Sequence, residues 1–221
     1  MPDIIKTYVD TSLDFIQKYN EYLMYLDSVY TSEYEEELNP DMQGDFDFSQ
    51  YSDSPSSMKF KQEGTSGMIA NLISEDSKSW KPIEADISDN EIEYLEKYFA
   101  IKLPEDYKEY LKYKYFYEIY WNLDIKLYPK PKDTRSDILK KKNENFKEYI
   151  LNNGLFSIGQ WSDYGNISVN LSNFNIVFVD YETGYYSDII AENFTGLLTL
   201  ALKSEEPEIK GLNPAEKRLF G

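Results

Sequence analysis

The chain is expected to combine amphipathic helices with a run of β-strands, and three observations say so. Apolar residues at steps of three and four run from Ile5 to Tyr30. Period-two alternation sets in near Tyr115 and dominates residues 155–190. A last helical stripe, Phe194, Leu197, Leu198 and Ala201, follows the strands. Periods of 3.6 and 2 mark one buried face of a helix and of a strand respectively.

Ile5, Val9, Leu13, Ile16, Tyr19, Leu23, Leu26 and Tyr30 share one helical face, while Asp10, Asp14, Lys18, Glu21 and Asp27 fall mostly elsewhere. No Gly or Pro interrupts residues 5–30, so one long helix is expected, docked by its stripe onto the body of the protein. Residues 31–66 mix Glu33, Glu35, Glu36, Glu37, Asp41, Asp45 and Asp47 with Ser, Gly and Pro, which reads as a loop or mobile linker. Asp41, Asp45 and Asp47 lack the central Gly and closing Glu of a calcium loop, so no metal is expected there.

Ser88 followed by Glu91 has capping-box spacing, and Ile92, Leu95 and Phe99 supply the stripe of the helix it would start. Pro104 is suited to the first turn of a second helix, with Glu105 and Asp106 near its positive end and Tyr107, Tyr110 and Leu111 facing the core. Phe116–Trp121 and Asp124–Tyr128 read as two strands joined at Asn122-Leu123. Residues 136–150 read as a helix with Ile138, Phe146, Tyr149 and Ile150 on its apolar side. Strands are expected at 155–158, 166–171, 175–180 and 185–190, the third apolar enough to be an inner strand. The tail, Gly211–Gly221, is polar apart from Leu219 and Phe220.

Composition narrows the chemistry. The 221 residues contain neither Cys nor His, which removes thiolate and imidazole nucleophiles, bases and metal ligands together. An enzyme would depend on carboxylates, Lys, Tyr, Ser or a cofactor; no enzymatic activity and no cofactor are expected. Forty acids against 23 bases give a net charge of −17. Residues 1–80 hold 16 acids and 5 bases, whereas residues 81–150 hold 15 and 14. Nucleic acid and anionic membrane surfaces would be repelled, while a basic protein would be steered in. No apolar run reaches membrane-spanning length, and the start lacks a secretory pattern, so a cytoplasmic location is expected.

Several words match a known family. Trp80-Lys81-Pro82-Ile83, Ser88-Asp89-Asn90-Glu91-Ile92 and above all Ile101-Lys102-Leu103-Pro104-Glu105-Asp106-Tyr107 resemble the SUKH superfamily, immunity proteins named partly after a fungal regulator of cell-wall synthesis. Phe156-Ser157-Ile158-Gly159 with Asp163-Tyr164-Gly165-Asn166, Val177–Glu182 and Ala191–Leu200 resemble its later strands and closing helix. The resemblance covers about residues 80–203. It divides the chain into an N-terminal helix and acidic Ser/Pro-containing extension, 1–79, and a SUKH-like domain, 80–221. It implies an α+β fold with helices against a mixed, mostly antiparallel sheet. It also implies a binding protein: a bacterial antidote that neutralises a polymorphic or contact-dependent toxin, a nuclease or other nucleic-acid-targeting one. A non-enzymatic regulatory scaffold with several protein partners is the alternative.

Two acidic groups are candidates for holding a basic toxin domain. One is the run containing Glu35, Glu36 and Glu37. The other is Asp163, Asp180, Glu182 and Asp188 near strand ends, interleaved with Tyr164, Tyr181, Tyr185 and Tyr186. Carboxylates replace phosphates in a cationic cleft, and tyrosines anchor interfaces. Asp180 and Glu182 are also the one pair that a strand would aim in the same direction. The Lys- and aromatic-rich stretch 108–147 is nearly cancelled by its acids and is expected to be helix and strand edges. A monomer is the favoured state.

Overall fold

The computed structural model describes residues 2–37, 85, 89–116, 119–121, 125–128, 135–162, 164–180, 182–184, 186–204, 209 and 211–220. Helix α1 spans Asp3–Glu37, α2 Asp89–Phe99, α3 Glu105–Lys112 and α4 Arg135–Asn145. The strands are β1 Ile119–Trp121, β2 Ile125–Leu127, β3 Leu155–Trp161, β4 Gly165–Asn170, β5 Ile176–Asp180 and β6 Tyr186–Ala191. Helices α5, Phe194–Lys203, and α6, Glu216–Phe220, close the chain. The fold is α+β. The sheet order is β1-β2-β3-β4-β5-β6, and all five pairings are antiparallel, so the described sheet is a simple meander rather than a mixed sheet.

Packing follows the apolar patterns. Ile5, Tyr8, Val9, Leu13 and Ile16 of α1 are buried in the same cluster as Ile92 and Leu95 of α2, Tyr107, Tyr110 and Leu111 of α3, and the α5 stripe. Ile167, Val169 and Ile176 bring the sheet into that cluster. Val177 and Val179, on the opposite face of β5, form a second, smaller cluster with Leu155, Ile150 and the half-buried Phe146. Helices, including α4 through Ile138 and Leu139, therefore cover one face, while Phe146 and Ile150 in the turns after α4 cover part of the other.

A polar network joins α4 to the sheet. Strand β2 pairs only with Gly159–Trp161 of β3, leaving Ser157 beyond its end. The side chain of Asn143 takes over: its Oδ1 accepts from Ser157 N (2.7 Å), and its Nδ2 donates to Ser157 O and Leu139 O (3.0 Å each). Asn143 thus supplies the donor and acceptor that another strand would have offered. The Tyr128 hydroxyl donates to Asn166 Oδ1 (2.8 Å) and lies 2.8 Å from the Ser157 hydroxyl, so the buried polar groups serve one another.

Several boundaries differ from the sequence reading. The first helix runs through Glu37, so Glu35, Glu36 and Glu37 belong to its last turn rather than to a linker. The reason is that no Gly or Pro occurs between Asp3 and Glu37, and Glu is a good helix former even where its charge opposes the local dipole. The rest of the expected linker, with Ser88 and the Asn122-Leu123 turn, lies outside the described residues. Pro104 is the N-cap of α3, one residue before its first turn. Helix α4 stops at Asn145 and yields to turns and a 3-10 segment, Leu151–Asn153; Tyr149, expected on its apolar side, is 48% exposed. The tail forms α6 because Phe220 packs edge-on against Tyr22 (5.4 Å between ring centroids) and beside Tyr25 (5.5 Å).

Candidate functional site

In an antiparallel meander the odd-numbered strands all end on the same side. Register makes this concrete: Trp121 pairs with Ile125, Ile125 with Trp161, Trp161 with Gly165, and Gly165 with Asp180. These five positions form one row across the sheet, at the end where β1, β3 and β5 finish. In sequence, the stretches 121–125, 161–165 and 180–186 contain Asp124, Asp163, Asp180 and Glu182 and no Lys or Arg. The nearest base, Lys126, occupies the opposite alternation from Ile125.

Local geometry fixes this end of the sheet. Asp180 closes β5 and uses Oδ1 to accept from Thr183 N (2.8 Å), Glu182 N (2.9 Å) and Thr183 Oγ1 (3.0 Å). The hydrogen bonds from Thr183, backbone and hydroxyl, together with that from Glu182 N, hold its carboxyl below the usual range and keep it ionised. Gly184 has φ +65, and a Cβ there would come within 2.2 Å of the Tyr149 ring, so the β5–β6 turn sits directly on that ring. At the neighbouring hairpin, Ser162 has φ 49 and Tyr164 N donates to Trp161 O (3.2 Å). This turn leaves Tyr164 72% exposed.

Tyr164, Asp180 and Glu182 therefore meet at one end of the sheet. Asp163 and Tyr185 belong by sequence to the same connections but lie outside the described residues. Asp188 lies within β6, farther from the row. Glu35, Glu36 and Glu37 end α1, in its last turn. Glu182 is in the turn and donates its own amide to Asp180, so strand alternation does not aim the two carboxylates together. Among the described residues, no group of three or more carboxylates is placed to hold a metal ion.

Trp161, Phe178 and Gly165 were not singled out from the sequence. Phe178 is half-buried and belongs to neither hydrophobic cluster. Its ring stands edge-on to Trp161, 6.4 Å between centroids at 80°, and lies over Gly165, where a Cβ would meet it at 2.7 Å. The missed signal was the ending of successive odd strands in Trp, Trp and Asp.

Elsewhere several lysines of the basic stretch are engaged. Lys114 pairs with Asp10 (2.7 Å), Lys108 with Glu105 (2.8 Å) and Glu96 (3.1 Å), and Lys140 lies over the Tyr98 ring (4.4 Å). A depression of about 760 Å³ along α2 and α3 is lined by Lys97, Lys102, Lys108 and Lys112 but also by Glu93, Glu96 and Glu105, and so carries nearly balanced charge. Among the described residues no helix is long and apolar enough to cross a membrane. Compared with models of known protein families the chain matches none, and no curated protein sequence matches it either.

Proposed function

We propose that the chain is an immunity protein of the SUKH type, which binds and neutralises the toxin domain of a bacterial polymorphic or contact-dependent toxin in the cytoplasm. The partner is a basic protein domain, and a nuclease or other nucleic-acid-targeting toxin fits best. One observation carries the reading: Tyr164, Asp180 and Glu182 come together at one end of the meander, in stretches of sequence without a single Lys or Arg. Carboxylates with exposed aromatic anchors suit a cleft built to grip phosphates. The word Leu103–Tyr107 and the α+β element order support the family assignment.

The test is affinity purification of the full chain from its native cells at low salt, with mass spectrometry of the bound proteins. One stoichiometric toxin domain, shed as salt rises and harmless to cells that co-produce this chain, is the expected result. Several substoichiometric partners with no rescue would replace the reading with that of a regulatory scaffold.

A further inference from the structure

We propose that the corner formed by Trp161, Phe178 and Asp180 receives an arginine side chain of that basic partner; the inference rests on the antidote reading and specifies its contact. Phe178 and Asp180 are two apart on β5, opposite Ile167 and Gly165 respectively, so both leave the strand on the same face. Gly165 contributes no side chain to the row, and the Phe178 ring leans into that gap, edge-on to Trp161. Both rings are only half-buried, and Phe178 serves neither hydrophobic cluster. A half-buried phenylalanine on an inner strand, braced by a tryptophan beside an ionised carboxylate, brings an aromatic ring and a negative charge together.

The carboxylate has capacity to spare. The turn's three hydrogen bonds all go to Asp180 Oδ1, leaving Oδ2 without a partner among the described residues. A flat guanidinium can stack on an aromatic face while its N–H groups reach a carboxylate, which a compact ammonium does less well. Lys and Arg are absent from the three neighbouring stretches of sequence, so no base within them offsets that charge. The complementary occupant is therefore cationic, planar and carried by a protein: an arginine.

The full-length chain would be titrated with a capped tetra-arginine peptide, and with tetra-lysine and tetra-citrulline analogues, by tryptophan fluorescence and by NMR of the indole N–H signals. Saturable arginine binding that moves the Trp161 signal is expected, with lysine weaker by roughly three- to ten-fold and citrulline inert. Asp180→Asn keeps an amide oxygen for the turn and removes the charge; Phe178→Leu removes the ring. Each should weaken arginine binding by about five-fold or more, a loss on the scale of one cation–π or charge-assisted contact. Glu192→Gln, which removes one charge at the far end of β6, should leave it nearly unchanged.

Equal weakening by Asp180→Asn and Glu192→Gln, or an unmoved Trp161 signal, would overturn the proposal in favour of general charge attraction. That NMR readout needs no variant, so a misfolded Phe178→Leu cannot obscure it. Failure here leaves the antidote reading to its own test, because toxin capture and rescue do not depend on a peptide. Conversely, a chain that binds the arginine peptide at this corner but rescues no toxin would sink the antidote reading alone.

Discussion

Ala100 is an alanine where a helix end favours glycine. Ile101 N donates to Glu96 O (2.9 Å) and Ala100 N to Lys97 O (3.3 Å), the paired bonds of a Schellman motif, with Ala100 at φ 54. The left-handed conformation crowds a Cβ, and Ala100 is exposed, so its methyl group gains little from packing. Ala100→Gly should therefore raise stability by about 0.5–1 kcal/mol, seen as a higher urea midpoint at unchanged slope. Just before this elbow, Glu96 is 6% exposed and accepts from Leu103 N (2.8 Å), Lys102 Nζ (3.1 Å) and Lys108 Nζ (3.1 Å). Burial works to raise its pKa, but the amide and the two ammonium groups outweigh burial and hold it below 4.5. A carboxyl depressed in the folded state stabilises fully above its unfolded value and loses that contribution as pH falls through the folded one. The stability gap between the native chain and Glu96→Gln should thus be widest near neutral pH and shrink below about pH 4.5. Denaturant titrations at a series of pH values would show it, and a gap independent of pH would refute the assignment.

Helix α5 shows how one element depends on another. Its N-cap Asn193 accepts from Gly196 N (2.7 Å), and Thr195 N donates across the fold to Asp106 Oδ2 (2.9 Å). The other oxygen of Asp106 accepts from Tyr107 N (2.9 Å), so one carboxylate serves the starts of both α3 and α5. Asp106→Ala should cost about 1–2 kcal/mol, the scale of a lost cap plus a helix-end charge. In a double-mutant cycle with Asn193→Ala the two losses should fail to add, because both act on the first turn of α5. The sequence places Asp106 at the positive end of its own helix but gives no hint of its second partner, 89 residues away. Legibility follows the same division throughout the elements. The stripe Phe194, Leu197, Leu198 and Ala201 is local and periodic, and all four residues are buried as that pattern requires. Strands β3 to β6 were legible to within a residue or two at most ends for the same reason, although β3 runs on to Trp161. Helix α6 was not, because its five residues form where Phe220 meets Tyr22 and Tyr25, a contact between the two ends of the chain. The run after Tyr30 was misread because its charge and its helix propensity point in opposite directions, and propensity without a breaker prevailed through Glu37.

At the scale of the whole molecule, the candidate site was half legible. Tyr164, Asp180 and Glu182 could be marked as turn residues by type, but their convergence depends on strand order and register, which no local pattern encodes. Once the meander is known, Trp161 and Gly165 fall into the same row by counting. The core has a comparable long-range dependence. The main hydrophobic cluster includes Ile5, Tyr8, Val9, Leu13 and Ile16, each no more than 2% exposed. Asp10 on the same helix also accepts from the Tyr113 hydroxyl (2.9 Å) and pairs with Lys114 (2.7 Å). Full burial contributes about 1.5–3 kcal/mol per large apolar side chain, so these five together amount to roughly 7–15 kcal/mol. That range spans the entire net stability of an ordinary domain, about 5–15 kcal/mol. A fragment starting at residue 80 should accordingly lack cooperative unfolding and show poorly dispersed NMR signals while retaining helical circular dichroism. A synthetic peptide of residues 1–37 added in trans should restore dispersion, since the missing surface is one helical stripe. Cooperative unfolding of the fragment alone would show instead that the sheet and α5 suffice as a core, with α1 an accessory layer.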